Sequence, residues 1–545
     1  MKNTISSFLE PFPDEILEVK EEEKIILRDN FLLNFFQSRR IKVSDVIFKV
    51  HILEEKCTLE PYIIGSEGLL PHVMPDGKVC LNKLFSGALT NGHALLTDCV
   101  NYVRSRFKIL VDSNLLHEDF KKEAQAHWNL SLPDHYKSVW FAKPPQTSSP
   151  LIADALGSRT SDTFLFCPEL ARHLPEIVSL EEIANKLSLK TTNRMKGLYL
   201  PLLSIPCTAM EWPETFQDLR TYVCDRVGKN FEKPIFQKKK NNLWLILLYH
   251  KEAGCFAYFM DVRTERIERI KVHRVDDEWT VGRDQNSFVL RRNSRPIILV
   301  GAGCLGSWVS NLLACQGVHN VHIFDGDKLL PQNLGRHLLP ATYLKQNKAT
   351  ALVNFLSSAN LFFKGCDYPK SFSANEPILK ELDWNSDPIF LNFTGEPGVI
   401  SIIEKVRLSH PRSWHILAYY EPFVANAHCV ISPPHQFLDI DKNLIKLINL
   451  TVFTPNVYKS EPGCISTFQS YELKKAAIAN SLIADQILDV IDGKISNRMV
   501  LSLLLRRESE ISSYIVEDKF KERANLQWIE RSDLKEIWKE KTNVC

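Results

Sequence analysis

Gly301-Ala302-Gly303-Cys304-Leu305-Gly306 follows a short apolar run at residues 296–300, precedes helical spacing over residues 305–316, and is followed by a second apolar run at residues 321–325. Strand, glycine turn, helix, strand is the βαβ unit of a doubly wound parallel sheet. Glycines at these positions let main-chain amides approach phosphate oxygens at the positive end of the helix. Alone, the GxGxxG pattern suits a dinucleotide dehydrogenase equally well, and Asp325 stands where a ribose-binding acid belongs, roughly 20 residues on. The continuation separates the readings: Asp325-Gly326-Asp327-Lys328-Leu329-Leu330-Pro331-Gln332-Asn333-Leu334-Gly335-Arg336-His337, then Lys348.

Hydride transfer needs no such concentration of cations, whereas acyl adenylation brings a carboxylate against the α-phosphate of ATP. Two anions repel unless metal and basic side chains neutralise them. The ordered series DxD, Asn-x-x-Arg and Lys after the glycine loop resembles the ThiF/MoeB/ubiquitin-activating superfamily. That resemblance implies roles for Gly301, Gly303 and Gly306 at the phosphates, Asp325 at the ribose hydroxyls, and Asp327 and Asn333 at the nucleotide and its metal. Arg336 and Lys348 would hold the phosphates, with Arg336 also counted as catalytic. ATP and Mg2+ are the implied cofactors. Family members usually place an aspartate just after the next parallel strand, but Phe390-Leu391-Asn392-Phe393-Thr394-Gly395-Glu396 offers glycine near that point. Asn392 and Glu396 are the substitutes on offer, and the metal ligands stay unassigned.

Two cysteines stand in informative surroundings. Cys464, in Glu461-Pro462-Gly463-Cys464-Ile465-Ser466-Thr467, follows a turn and precedes a helical run at residues 471–491 whose amino terminus can lower a thiol pKa. It resembles the acceptor cysteine of activating enzymes, where a thiolate intercepts the acyl adenylate as a thioester. Cys80 lies in Pro71-His72-Val73-Met74-Pro75-Asp76-Gly77-Lys78-Val79-Cys80-Leu81, which resembles the active-site segment of ubiquitin-conjugating enzymes, especially bacterial ones. There the histidine organises the loop and an asparagine stabilises the oxyanion; here Val73 and Met74 follow His72, so a backbone amide is the stand-in donor. Cys304 and Cys315 read as packing residues, and the other nine cysteines have no comparable context.

Working outward, 545 residues exceed one ordinary core and suggest about three domains. Strand-like residues 41–53, the Cys80 loop and an amphipathic run at 92–110 give an α+β domain over residues 1–145 of ubiquitin-conjugating-like order. Residues 142–150 have linker composition. Residues 151–286 read as a middle α+β domain with a hairpin (244–249 with 255–262) and a possible third strand at 266–275, and with Lys238-Lys239-Lys240 as a solvated loop. Residues 291–545 form the doubly wound adenylating domain, with further strands at 389–393, 415–420 and 427–432 and the 471–491 helix closing it.

A net charge of +2 gives no reason to expect nucleic acid or an anionic membrane as main partner. No apolar run approaches the ~20 residues of a membrane span, and residues 1–30 lack the pattern of a signal peptide. Thirteen scattered cysteines fit a reducing cytoplasm. The absence of any Cys-x-x-Cys argues against a four-cysteine zinc site.

The order of these segments resembles fused ubiquitin-transferase-like proteins of bacterial antiviral operons, of the CBASS type. That implies adenylation of a partner's carboxy terminus, loading on Cys464, passage to Cys80 and delivery to a target amine. The implied partner is a ubiquitin-like protein or a cGAS-like nucleotidyltransferase, and family members pair as homodimers. Rival readings are an enzyme activating a sulfur-carrier protein, a nicotinamide-dependent oxidoreductase, and a non-catalytic nucleotide-binding adaptor.

Overall fold

The computed structural model describes residues 16–21, 24–53, 56–66, 70–74, 76–80, 85–88, 91–133, 135–143, 149–168, 179–189, 193–205, 212–227, 234–236, 243–457, 459–460, 467–468, 473–505, 515–519 and 527–539. It divides into two compact units, Met1–Glu169 with Leu189–Val275, and Leu170–Ser188 with Asp276–Cys545.

The first unit begins with an antiparallel sheet in sequential order: β1 (Ile16–Glu21), β2 (Lys24–Asp29), β3 (Asp45–Leu53), β4 (Lys56–Ile64) and β5 (Ser86–Ala88). In β4 burial alternates along the strand, so Cys57, Leu59 and Ile63 face inward, as the period of two requires. The Gly92–Asp112 helix lays Leu96, Val100, Val103, Phe107 and Leu110 into the same core, one stripe of an amphipathic helix. The fully buried Asp29 caps the Asn30–Ser38 helix through Leu32 N–H at 3.0 Å. Its charge is answered by Arg104 of the Gly92–Asp112 helix at 2.7 Å.

Seven further strands close into a barrel: β6 (Ser138–Phe141), β7 (Leu151–Leu156), β8 (Thr163–Phe166), β9 (Arg194–Pro201), β10 (Leu243–His250), β11 (Gly254–Asp261) and β12 (Arg266–Arg274), in the order β10-β11-β12-β6-β8-β7-β9. The expected hairpin is present, registered from Leu243 opposite Asp261 to His250 opposite Gly254, with β12 as its third strand. Alternate residues of all seven strands, among them Phe141, Phe166, Tyr199, Leu247 and Val272, fill one core. Intervening residues such as Ile246, Leu248, Phe256 and Tyr258 pack in a second core with the helices Leu116–Leu130 and Phe216–Val227. Burial on both sides explains why β10 reads as a continuous apolar run without alternation. Strand β6 enters the barrel from before the linker-like stretch, and Lys238-Lys239-Lys240 lies outside the described residues.

The second unit is built on an eight-stranded sheet. Strands β13 (Ile297–Val300), β14 (Asn320–Phe324), β15 (Lys364–Tyr368), β16 (Ile389–Asn392) and β17 (Trp414–Tyr420) are parallel in the order β15-β14-β13-β16-β17. An antiparallel extension follows, made of β18 (Asn426–Ser432), Met499–Leu504 and Gln527–Glu530. Along β13, Ile297 and Leu299 meet the helices Cys304–Cys315, Lys348–Ala359 and Leu473–Ile491. Ile298 and Val300 face the opposite layer with Ile403 and Val406 of the Pro397–Ser409 helix. The doubly wound expectation therefore describes this sheet's parallel part. The expectation that the 471–491 helix closes the domain is corrected, because two sheet strands follow it in sequence. Their apolar stretches are short and pair with a strand whose partner cannot be read locally.

Candidate functional site

The glycine turn leaves the carboxyl end of β13, the edge at which ligands bind in open α/β sheets. Gly301 has φ +97°, and a Cβ there would stand 3.1 Å from Thr394 Cγ2 and 3.2 Å from the carbonyl carbon of Phe393. At Gly306 a Cβ would fall 1.9 Å from the Gly301 carbonyl oxygen, so only glycine lets the Cys304–Cys315 helix approach the turn this closely. Gly303 is the N-cap of that helix and makes no side-chain cap hydrogen bond; nothing lies within 4 Å of where its Cβ would be. A helix amino terminus that begins at glycine lets a phosphate group approach its main-chain amides closely.

Asp325 organises the turn from β14. Its carboxylate accepts the Ala302 N–H and the Asp327 N–H, each at 2.8 Å. Burial pushes its carboxyl above the ordinary range, against the pull of those amides and of Lys348. Asp327 and Lys348 come together, Nζ to Oδ2 at 2.9 Å, with the Asp327 side chain 76% exposed and the Lys348 side chain 11% exposed. Asn333 is half-buried and its side chain accepts the Leu330 N–H at 2.9 Å, closing a local turn. Arg336 is half-buried and its carbonyl accepts Trp308 Nε1–H at 3.0 Å.

Two residues escaped the sequence reading. His337, buried beside Arg336, approaches the Ala302 carbonyl through Nε2 at 2.7 Å, and its Nδ1 accepts the Leu339 N–H at 3.1 Å. That pair fixes the tautomer with the proton on Nε2, and burial pulls the ring down to about 4. Ala302 is thus held from both sides, by Asp325 at its N–H and His337 at its C=O. Asn347 donates to the carbonyls of Asp325 (2.9 Å) and Asp327 (3.1 Å) while its oxygen caps the Lys348–Ala359 helix. Its signal was the N-cap position immediately before Lys348.

At the next strand end, the Asn392 side-chain oxygen accepts both N–H and O–H of Thr394 (3.2 and 2.8 Å). That oxygen is committed locally, and Asn392 fits a metal poorly. Asp327 and Glu396 each present an exposed carboxylate near this edge, beside the half-buried Asp325.

In the first unit Cys80 is an exposed free thiol at the end of a small hairpin. Met74 and Gly77 close its turn, Val73 bridges Val79, and Val79 N–H donates to the Pro61 carbonyl of β4 at 2.8 Å. Cys80 N–H donates to the His72 carbonyl at 2.6 Å. The amide of Cys80 is therefore engaged, which leaves the stand-in oxyanion donor to be sought elsewhere. His72, at φ +65°, packs against the Leu116–Leu130 helix, its ring nitrogens contacting Asp119 Oδ2 (Nε2, 3.1 Å) and Glu123 Oε1 (Nδ1). Cys464 lies outside the described residues; the paired strands Lys459–Ser460 and Thr467–Phe468 stand on either side of it in sequence. Cys304 is buried as expected, whereas Cys315 is exposed, at the last turn of its helix.

Residues 287–389 match the ThiF family. The second unit therefore carries a ThiF-family domain, containing the glycine loop, the DxD pair, Arg336 and Lys348. Within that class the chain is similar to bacterial proteins named ATP-dependent ubiquitin transferase-like protein Cap2. It is 31% identical over 134 residues to the one from Enterobacter hormaechei subsp. hoffmannii (strain UCI 50), covering 22% of this chain and 21% of that protein. It is 23% identical over 248 residues to the one from Escherichia coli (strain TW11681), covering 42% and 40%. The matches thus span two fifths or less of the length of these two relatives. Among solved structures, that titled SeMet PaaA aligns over 48% of this chain and 69% of its own at 16% identity and TM-score 0.33. E. coli MccB with ATP aligns over 40% and 62% at 17% identity and TM-score 0.29. Among the described residues no helix is long and apolar enough to cross a membrane.

Proposed function

We propose that this protein is an ATP-dependent ubiquitin-like transferase that adenylates the carboxy terminus of a partner protein and conjugates that partner to a target amine. The observation that carries the reading is the carboxyl edge of the second unit's sheet, where the glycine-led amino terminus of the Cys304–Cys315 helix, the Ala302-clamped turn, Asp325 and the Asp327–Lys348 pair converge. ATP supplies the phosphoric anhydride that activates the carboxylate. The Cys304–Cys315 helix amides, Lys348 and Arg336 hold its phosphates, and Asp325 its ribose. Mg2+ would be held through Asp327, with Glu396 as second carboxylate in place of Asn392.

Cys464 then takes the acyl group as a thioester and passes it to Cys80, whose exposure suits a delivering thiol. Residues 1–145 act as the conjugating-like domain and residues 151–286 as the connecting middle domain of a cytoplasmic homodimer. The similarity to Cap2 proteins supports a role in bacterial antiviral defence, with a ubiquitin-like protein or a cGAS-like nucleotidyltransferase as partner.

ATP–pyrophosphate exchange with candidate partners tests the reading. Exchange that requires both magnesium and the partner, and a thiol-sensitive partner adduct on Cys80, are expected. Exchange without any adduct on Cys80 would instead indicate an enzyme that activates a sulfur carrier. Tight NAD binding without ATP binding would indicate an oxidoreductase, and binding of ATP without exchange an adaptor.

A further inference from the structure

Glu123 grips His72 twice, its Oε2 accepting the main-chain N–H at 2.5 Å and its Oε1 contacting ring Nδ1. The other ring nitrogen, Nε2, lies between Asp119 Oδ2 at 3.1 Å and Arg106 Nη2 of the Gly92–Asp112 helix at 2.9 Å, and Arg106 also reaches that carboxylate at 2.7 Å. His72 is a non-glycine residue in the left-handed region, a conformation that disfavours side chains and persists only where the surroundings impose it. From that conformation its carbonyl receives the Cys80 N–H. The thiol's main chain is thus tied, through one residue, to two carboxylates on the Leu116–Leu130 helix.

We propose that Glu123, assisted by Asp119, is a positioning residue for Cys80, holding His72 in the backbone conformation that presents the thiol. Neither carboxylate touches the sulfur in this arrangement; both act through His72. The proposal rests on the reading of Cys80 as the delivering thiol only for its effect on transfer, not for its effect on the loop.

The charged groups around His72 are Arg106, Asp119 and Glu123, with Lys122 on Asp119 at 3.0 Å and His127 Nε2 3.8 Å from Glu123. The hydrogen bond to Glu123, opposed by burial and Arg106, raises the His72 pKa above its ordinary 6.5. Burial works to raise Glu123, but the nearby His127 and the hydrogen bonds from His72 outweigh it and bring its carboxyl to about 2. For a histidine raised by folding, the stabilisation is whole below 6.5 and is lost as pH rises through the folded value. The tie on Cys80 therefore loosens toward alkaline pH.

The test is hydrogen exchange of the full chain across pH, read as protection factors for the His72 and Cys80 amides, in wild type and Glu123→Gln. The variant is expected to lose about tenfold of that protection, the scale of one charge-assisted hydrogen bond, while the β13 and β14 amides keep theirs. Wild-type protection should fall on the alkaline side of 6.5, and in Glu123→Gln that fall should move toward the ordinary histidine range. Single-turnover discharge from Cys80 should slow about tenfold, since misplacement of a reacting group is costly, with partner adenylation unchanged. Unaltered protection and an unaltered pH profile in Glu123→Gln would overturn the proposal. If wild type forms no adduct on Cys80, the transferase reading fails, while the exchange measurements still decide the positioning role.

Discussion

Lys348 holds Asp327 twice: its Nζ lies 2.9 Å from Oδ2, and its main-chain N–H donates to the Asp327 carbonyl at 2.8 Å. Lys348, proposed to hold phosphate, and Asp327, proposed to hold metal, are thus each other's partners. On that proposal, nucleotide binding redistributes the pair, releasing the carboxylate to a cation and the ammonium to phosphate oxygens. The Asp327 side of the pair is open to water, which weakens the hold on its carboxylate, while the Lys348 side chain is largely buried.

Lys348→Ala should therefore lower partner-dependent pyrophosphate exchange by about a hundredfold or more, the scale of losing one preorganised charge at a developing anion. The fold should persist. Far-UV circular dichroism and exchange assays check both, and exchange within about threefold of wild type would remove Lys348 from the phosphate site, given the ~100-fold scale expected.

The turn's other support is titratable. His337 is neutral in the fold, with a pKa pulled to about 4 by burial. A group depressed by folding contributes stability that is present above the ordinary histidine value and lost as pH falls through the folded one. Between pH 6.5 and 4 it accounts for about 3 kcal/mol, an order-of-magnitude figure. Urea unfolding of the second unit from pH 7 to 5 should show a shallower pH dependence in His337→Gln than in wild type. Parallel curves would mean that His337 does not hold the Ala302 carbonyl as a neutral donor.

Buried charge elsewhere in this unit is structural. Arg407, fully buried, donates to Glu404, to Ser432 Oγ and to the carbonyls of Ser413, Ser432, Pro433 and Gln436. Arg407→Met leaves Glu404 buried with His415 alone among its charged partners, and should destabilise the unit by about 3–5 kcal/mol. Denaturant midpoints should show it, and a loss below about 1 kcal/mol would mean the site relaxes or admits water.

Thiol order is open to direct measurement. Cys464→Ala should abolish all partner thioester, whereas Cys80→Ala should leave a reducible thioester on Cys464 and stop conjugation. Non-reducing gels decide this, and an adduct on Cys80 in Cys464→Ala would show that Cys464 is bypassed. Mixing the two variants adds the subunit question: restored conjugation indicates transfer between chains of a dimer, and none, with subunit exchange verified, indicates transfer within one.

The parallel strands β13, β14, β16 and β17 were legible as short apolar runs beside glycine or helical signals, whereas β15, the largely polar Lys-Gly-Cys-Asp-Tyr, carries no such signal and was not read. The candidate site's turn was legible because its glycines, Asp325 and Asp327 follow one another closely in sequence. His337 and Asn347 were within sight yet unread, since their roles are hydrogen bonds to main-chain atoms far along the sequence. Barrel closure was invisible for a related reason: β6 pairs in parallel with both β8 and β12, and nothing near residues 138–141 announces a partner more than a hundred residues away. Nothing in the sequence around Asp119 and Glu123 ties them to the Cys80 loop; only the packing of the Leu116–Leu130 helix against His72 does.

The Leu116–Leu130 helix serves two masters. At one end Asp119 and Glu123 hold His72; toward the other Gln125 accepts the Cys255 N–H, Trp128 donates to the Ile270 carbonyl, and Asn129 both donates to and accepts from Val272. A helix of this length behaves as a stiff rod some four turns long. A crosslink, ligand or neighbouring chain that tilts β11 or β12 would therefore be felt at the cysteine, as a lever arm feels its fulcrum. By the same token, the thiol-bearing segment cannot be transplanted onto another scaffold without carrying its seat on the barrel along with it.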